Sequence, residues 1–228
     1  HEDFGTTARD GLLEIIGLDV DEERHRLWAA TGWDDAPEGA PHDFGEAPRE
    51  NEIVVYDLET GTLVERYAMV PDGRIHMWND VSVAPDGTAW FTDMTVGEVW
   101  RIPPGGAPEV FLTLDYHNSP NGIVAAENGL LYIATLEEIL VADPADGSVA
   151  PLKRGPDNYT GLGDGLAFGD GDLFITQNSG LLGMRVLWCR LDPSGREVVE
   201  TRRLRWTQPE GRMPYTCALG DCVLYVNA

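Results

Sequence analysis

Asn79, Asn121 and Asp164 each open a hydrophobic run, in the settings Asn79-Asp80-Val81, Asn121-Gly122-Ile123 and Asp164-Gly165-Leu166. Amide and carboxylate oxygens are the hard donors that calcium and magnesium prefer. Two amides and one carboxylate carry little charge and leave coordination positions for water and a substrate. A cation held by such a set would polarise a carbonyl and acidify a water, and Asp164 could orient or deprotonate that water. His76 and His117 stand shortly before the two asparagines, on segments from which they could assist proton transfer. The plainer reading makes each Asn or Asp a turn residue satisfying its own backbone, and each histidine an exposed loop residue. Agreement of all three openings in register favours the chemical reading.

The elements that must position these residues are strands. Four segments share an opening residue, an aliphatic run, a turn rich in Asp and Gly, and an aromatic-containing strand. They are Ile16-Gly17-Leu18 leading to Leu27-Trp28, Asn79-Asp80-Val81 to Trp90-Phe91, Asn121-Gly122-Ile123 to Tyr132-Ile133, and Asp164-Gly165-Leu166 to Phe174-Ile175. The openings recur at roughly 40 to 60 residues, the range of propeller repeats. Between them lie further strand-like runs such as Glu52-Ile53-Val54-Val55-Tyr56-Asp57 and Glu138-Ile139-Leu140-Val141-Ala142-Asp143, each followed by a turn. The composition, with 26 Gly and 15 Pro, suits a turn-rich β protein. The expected fold is therefore all-β: a β-propeller of four-stranded antiparallel blades, forming a single domain over residues 1–228. A fifth repeat opens near Tyr215-Thr216-Cys217 and breaks off after Leu224-Tyr225-Val226, so an incomplete ring is expected. The polar stretch from Asp34 to Arg49, with His42, reads as a surface loop inserted in the first repeat.

A formal net charge of -23 repels phosphate backbones and anionic headgroups, which argues against nucleic acid and membrane surfaces as partners. It leaves a small-molecule substrate and cations as the expected partners, against the blander reading of a solvated acidic surface. Cys189, Cys217 and Cys222 are odd in number and lack metal-site spacing, so buried thiols are expected rather than a disulfide framework. They leave the compartment open, with the cytoplasm slightly favoured. No apolar run approaches the roughly 20 residues of a membrane span.

Taken in order, the motifs resemble the six-bladed propellers of the senescence marker protein (regucalcin), gluconolactonase and lactone-hydrolase group. The resemblance rests on Asn79 through Gly87 with Phe91-Thr92-Asp93, on Ser119-Pro120-Asn121-Gly122-Ile123, on Gly163-Asp164-Gly165-Leu166-Ala167, and on Pro214-Tyr215-Thr216-Cys217. It implies one divalent cation, often calcium, held by Asn79, Asn121 and Asp164; the catalytic candidates, Asp164, His76 and His117, rest on the chemistry and position given above. The group's fourth ligand is a Glu from the first blade, whereas the first repeat here opens on Ile16, and Glu14 lies two residues out of register. In register this repeat matches the group's second blade, so the Glu-bearing blade either precedes His1 or its ligand is lost. The implied activity is metal-dependent hydrolysis of a lactone or small ester. The rival is a non-catalytic propeller that binds a ligand or a protein, and a third reading is a metal-free propeller of condensation or isomerisation chemistry, similar to strictosidine-synthase relatives. Asp80 and Asp93 are candidates for hydrogen bonds supporting the site. Trp78, Trp90 and Trp100 are expected in blade core and rim.

Overall fold

The computed structural model describes residues 10–12, 14–33, 51–115, 118–155, 160–178, 184–205, 214–220 and 223–227. The chain falls into two compact units, His1–Ser119 and Pro120–Ala228. Their strands are short and rich in Val, Ile and aromatic residues, and tight turns join several of them, as between Asp57 and Thr62 and between Asp143 and Ser148, the pattern of antiparallel meanders.

The first unit holds two four-stranded antiparallel sheets. One runs β1 (Glu14–Asp21), β2 (Arg26–Trp33), β3 (Glu52–Asp57), β4 (Leu63–Ala68); the other runs β5 (Trp78–Val83), β6 (Ala89–Asp93), β7 (Glu98–Ile102), β8 (Glu109–Thr113). Trp28, Ile53, Val55, Trp78, Val81 and Phe91 form a shared core between them. Trp78 is 1% exposed and packs at 4.6 Å from Phe91 and 5.9 Å from Trp100, ring centre to ring centre. The tryptophan thus belongs to the core.

The second unit repeats the plan with β9 (Pro120–Ala125), β10 (Leu131–Thr135), β11 (Ile139–Ala142), β12 (Val149–Pro151), and then β13 (Gly163–Gly169), β14 (Asp172–Gln177), β15 (Arg185–Leu191), β16 (Val198–Leu204). A two-stranded sheet of β17 (Thr216–Gly220) and β18 (Val223–Asn227) follows. Tyr132, Ala134, Ile139, Leu166, Ile175 and Leu187 fill the core between the two four-stranded sheets. Cys189 and Cys217 are buried thiols, and Cys222 lies outside the described residues, as do residues 34–49.

Every four-stranded sheet is a simple meander in sequence order, the blade unit of a β-propeller. The turn after the third strand recurs in chemistry as well as place. Asp57 Oδ1 accepts from the backbone N–H of Glu59 and Thr60 at 3.1 and 3.0 Å, and Asp143 Oδ1 accepts from Ala145 N–H at 3.0 Å. In both turns a glycine with positive φ, Gly61 or Gly147, bonds back to the Asp carbonyl. The hydrogen bonds from Thr60 hold the Asp57 carboxyl below its ordinary range.

Candidate functional site

Asn79, Asn121 and Asp164 are each the second residue of the first strand in their sheet. The strand ladder breaks at all three in the same manner. In β5 the register passes from Trp78↔Asp93 to Val81↔Phe91, so Asn79 and Asp80 together oppose Thr92 alone. In β9 it passes from Pro120↔Thr135 to Ile123↔Ile133, and in β13 from Gly163↔Gln177 to Leu166↔Ile175. Asn121-Gly122 and Asp164-Gly165 therefore sit on bulges, where the extra residue leaves the ladder and its side chain is re-aimed. The first sheet carries its own register shifts around Ile16, between Ile15 and Gly17.

A bulge leaves backbone groups that need partners. In β13 the opposing Thr176 supplies one: its Oγ1 accepts from Gly165 N–H at 2.8 Å and lies 2.9 Å from the Tyr215 carbonyl. In β5, Asp80 N–H donates to Thr92 Oγ1 at 3.2 Å. Thr176→Val keeps the shape and removes the hydroxyl; with Thr176 fully buried, the expected loss is about 1–2 kcal/mol in denaturant unfolding. A smaller loss than that of an exposed Thr→Val control would show that the hydroxyl does not hold the bulge.

Within the second unit the bulges bring Asn121 and Asp164 together. The Asn121 amide donates to the Asp164 carboxylate, and the Asn178 amide donates to its Oδ2. Burial pushes the Asp164 carboxyl up to about 6, against the pull of these two amides. Among the described residues no basic side chain reaches it. A desolvated carboxylate ringed by amide oxygens and nitrogens, with no counter-charge of its own, is a donor set that fits a hard divalent cation. Asn178 was not foreseen from the sequence. It follows the last residue of β14, a place held by Met94 and Leu136 in the preceding repeats, so no recurring residue type marks it.

Asn79, in the first unit, is half-buried and directs its amide toward Met94 Sδ at 3.8 Å. His76 lies on the segment leading into β5, and its side chain is 2% exposed. Its Nδ1 is 2.6 Å from Asp93 Oδ2 and its Nε2 is 3.0 Å from Asp72 Oδ1. Asp93, fully buried, also accepts from Met77 N–H at 3.1 Å and from Thr95 Oγ1 at 3.1 Å. Arg74 binds Glu98 Oε1 at 2.7 Å and Asp72 Oδ2 at 2.6 Å. His76 and Arg74 together hold the Asp72 carboxyl well below its usual range. His76, Asp93 and Glu98 place ligand atoms within 4.8 Å of one another, a second group able to hold a metal ion. His117 lies outside the described residues.

No protein-family model matches the sequence, and no curated protein matches it. Solved structures do. A chain of a nidogen–laminin complex superposes with a TM-score of 0.64 at 18% identity, covering 93% of this chain and 71% of that one. Virginiamycin B lyase from Staphylococcus aureus gives 0.61 at 16% identity, over 96% of this chain and 78% of the other. A gluconolactonase from Xanthomonas campestris gives 0.58 at 22% identity, over 93% and 68%. At these identities the likeness speaks for the fold alone, and the fold these neighbours share with the chain is that of a β-propeller.

Proposed function

We propose that this chain is a cation-dependent hydrolase of a lactone or related small ester, with calcium as the cation, centred on Asp164. The observation that carries the reading is the pair of in-register bulges that set Asn121 and Asp164 side by side, with a buried carboxyl pushed up to about 6 and no basic partner among the described residues. The likeness to a gluconolactonase, distant as it is, fits the same chemistry. When bound, the cation supplies Lewis acidity toward the carbonyl and acidifies water.

The residues of the chain do the rest. At neutral pH a carboxyl titrating near 6 is mostly ionised yet basic enough to accept a proton from water in the transition state. Asn121 and Asn178 hold that carboxylate in one orientation. The resemblance alone names Asn79 as a further ligand, and the sequence alone names His117 as a proton carrier. His76 could carry a proton only after releasing one of its two carboxylate partners. The reading carries with it the six-bladed ring of the lactonase group, with Ile16 opening the repeat in register with that group's second blade.

The test is hydrolysis of a panel of sugar and aliphatic lactones by pH-stat, with and without a calcium chelator. Hydrolysis that the chelator abolishes and calcium restores is expected, and Asn121→Ala should lower kcat/KM by about 100-fold or more through loss of both a ligand oxygen and the hold on Asp164. The rival, a binding propeller, is favoured by the likeness to a chain from a nidogen–laminin complex. Calcium binding without turnover of any lactone would select it.

A further inference from the structure

We propose that His76, Asp93 and Glu98 form a second metal site, for a borderline divalent cation of the zinc class, separate from the oxygen site at Asp164. The starting point is an arrangement that proteins ordinarily avoid. Asp93 ends β6 and Glu98 begins β7, and the two are direct cross-strand partners. Like charges in that relation repel, and these two are 0% and 5% exposed, so the repulsion is little screened by water. A buried pair of carboxylates requires positive charge between or beside them.

The histidine is set for ligation. Each ring nitrogen faces a carboxylate, Nδ1 toward Asp93 and Nε2 toward Asp72, so with Asp72 holding Nε2 from outside, Nδ1 is the nitrogen available to a metal beside Asp93. The 2.6 Å between Nδ1 and Asp93 Oδ2 is a charge-assisted hydrogen bond, shorter than the roughly 3.3 Å between two ligand atoms of one tetrahedral zinc, so a metal enters by displacing the proton and opening the pair. One nitrogen and two carboxylate oxygens make the mixed donor set that zinc accepts and calcium disfavours. The ligands sit on stiff supports: a hairpin for the carboxylates, and for His76 a backbone carbonyl bonded by Asn51 Nδ2 at 2.9 Å. Arg74, whose guanidinium now faces Glu98, is 45% exposed and also bonded to Asp72. It acts as the resident counter-charge, and metal binding releases it from Glu98 toward water.

Zinc chloride titrated calorimetrically into the full chain, in excess calcium, tests this independently of the hydrolase reading. One zinc site is expected. His76→Ala and Glu98→Gln should weaken it by at least about 100-fold, and Asp72→Asn by about 10-fold. Arg74→Ala should tighten zinc by about 10-fold because it removes the competitor for Glu98, and Arg74→Gln, which keeps a hydrogen-bond donor beside the buried carboxylate, should tighten it in the same sense. Asp164→Asn should leave zinc binding intact while calcium binding fails. Zinc binding lost in Asp164→Asn but kept in His76→Ala would put the metal at the oxygen site and overturn the proposal. No zinc binding in the wild type, or weaker binding in Arg74→Ala, would overturn it equally, including in the case where His76→Ala does not fold.

Discussion

Asp164→Asn is expected to make the cation-free protein more stable at pH 7.5 while abolishing its response to calcium. The wild-type carboxyl has an ordinary value of 3.8 and is pushed up to about 6 in the folded chain, with burial as the leading cause. An acid whose folded value is raised favours folding in its neutral form. That contribution is complete below about pH 4 and is lost as pH rises through about 6. The span of about two units corresponds to about 3 kcal/mol of stability given up at neutral pH. Asparagine carries no charge and escapes this cost. It offers one oxygen in place of two to the amides of Asn121 and Asn178, so the net gain is smaller, about 1–2 kcal/mol or a rise of about 2–6 °C in Tm.

Two controls separate ionisation from packing. At pH 4 the wild-type carboxyl is already neutral, so the advantage of Asp164→Asn should vanish there. With calcium at about 100 times its dissociation constant, the wild type should gain about 2.7 kcal/mol and overtake the variant, which gains little. A hard dication draws more from a carboxylate than from an amide, and it cancels the desolvation cost that Asp164 otherwise carries. If melting curves in chelator show the variant no more stable than wild type at pH 7.5, burial of Asp164 costs the fold nothing. The case for a site built at the expense of stability then falls.

The parts of this arrangement that could be read in the sequence are those fixed by local chemistry. An Asp-led turn with a glycine at its end bonds to itself, so Asp57 through Gly61 and Asp143 through Gly147 announce strand ends without any knowledge of the rest. The repeated openings at Asn79, Asn121 and Asp164 were visible because each is tied to the same bulge, and a bulge is set by a few consecutive residues. The partners that make the openings chemical were not visible. Asn178 meets Asp164 from the end of a neighbouring strand, and nothing at Met94 or Leu136 marks that place in the other repeats. The pairing of Asp93 with Glu98 depends on the register of one hairpin, and the closeness of His76 to it depends on the path of the segment before β5. Asp93 reads from the sequence either as a residue supporting the site or as the end of a strand, and it does end β6. Its closest partner is the His76 ring, a contact between side chains 17 positions apart in sequence.

Gly122→Ala should be among the most damaging single-methyl additions the chain can suffer. A Cβ built on Gly122 would lie 1.9 Å from the backbone carbonyl oxygen of Asp164 and 3.1 Å from the Cα of Gly165. Backbone cannot swing aside as a side chain can, so β9 and β13 must separate at the point where their bulges meet. The expected cost is about 3 kcal/mol or more, at the upper end for overpacking, since the strain falls on two strands at once. Function should fail with it, because the oxygen that is displaced belongs to Asp164, whose side chain the Asn121 amide holds. A comparison within the same sheet separates this clash from the ordinary cost of replacing glycine. Gly129 has a φ of +83 and nothing within 4 Å of its built Cβ, so Gly129→Ala suffers only backbone strain, about 1 kcal/mol. Urea unfolding of the two variants should therefore rank Gly122→Ala well below Gly129→Ala, with calcium binding lost in the first and kept in the second. Equal stabilities would mean that the first strands of the two sheets do not approach as closely as the bulges require, and the joining of Asn121 to Asp164 would lose its structural basis.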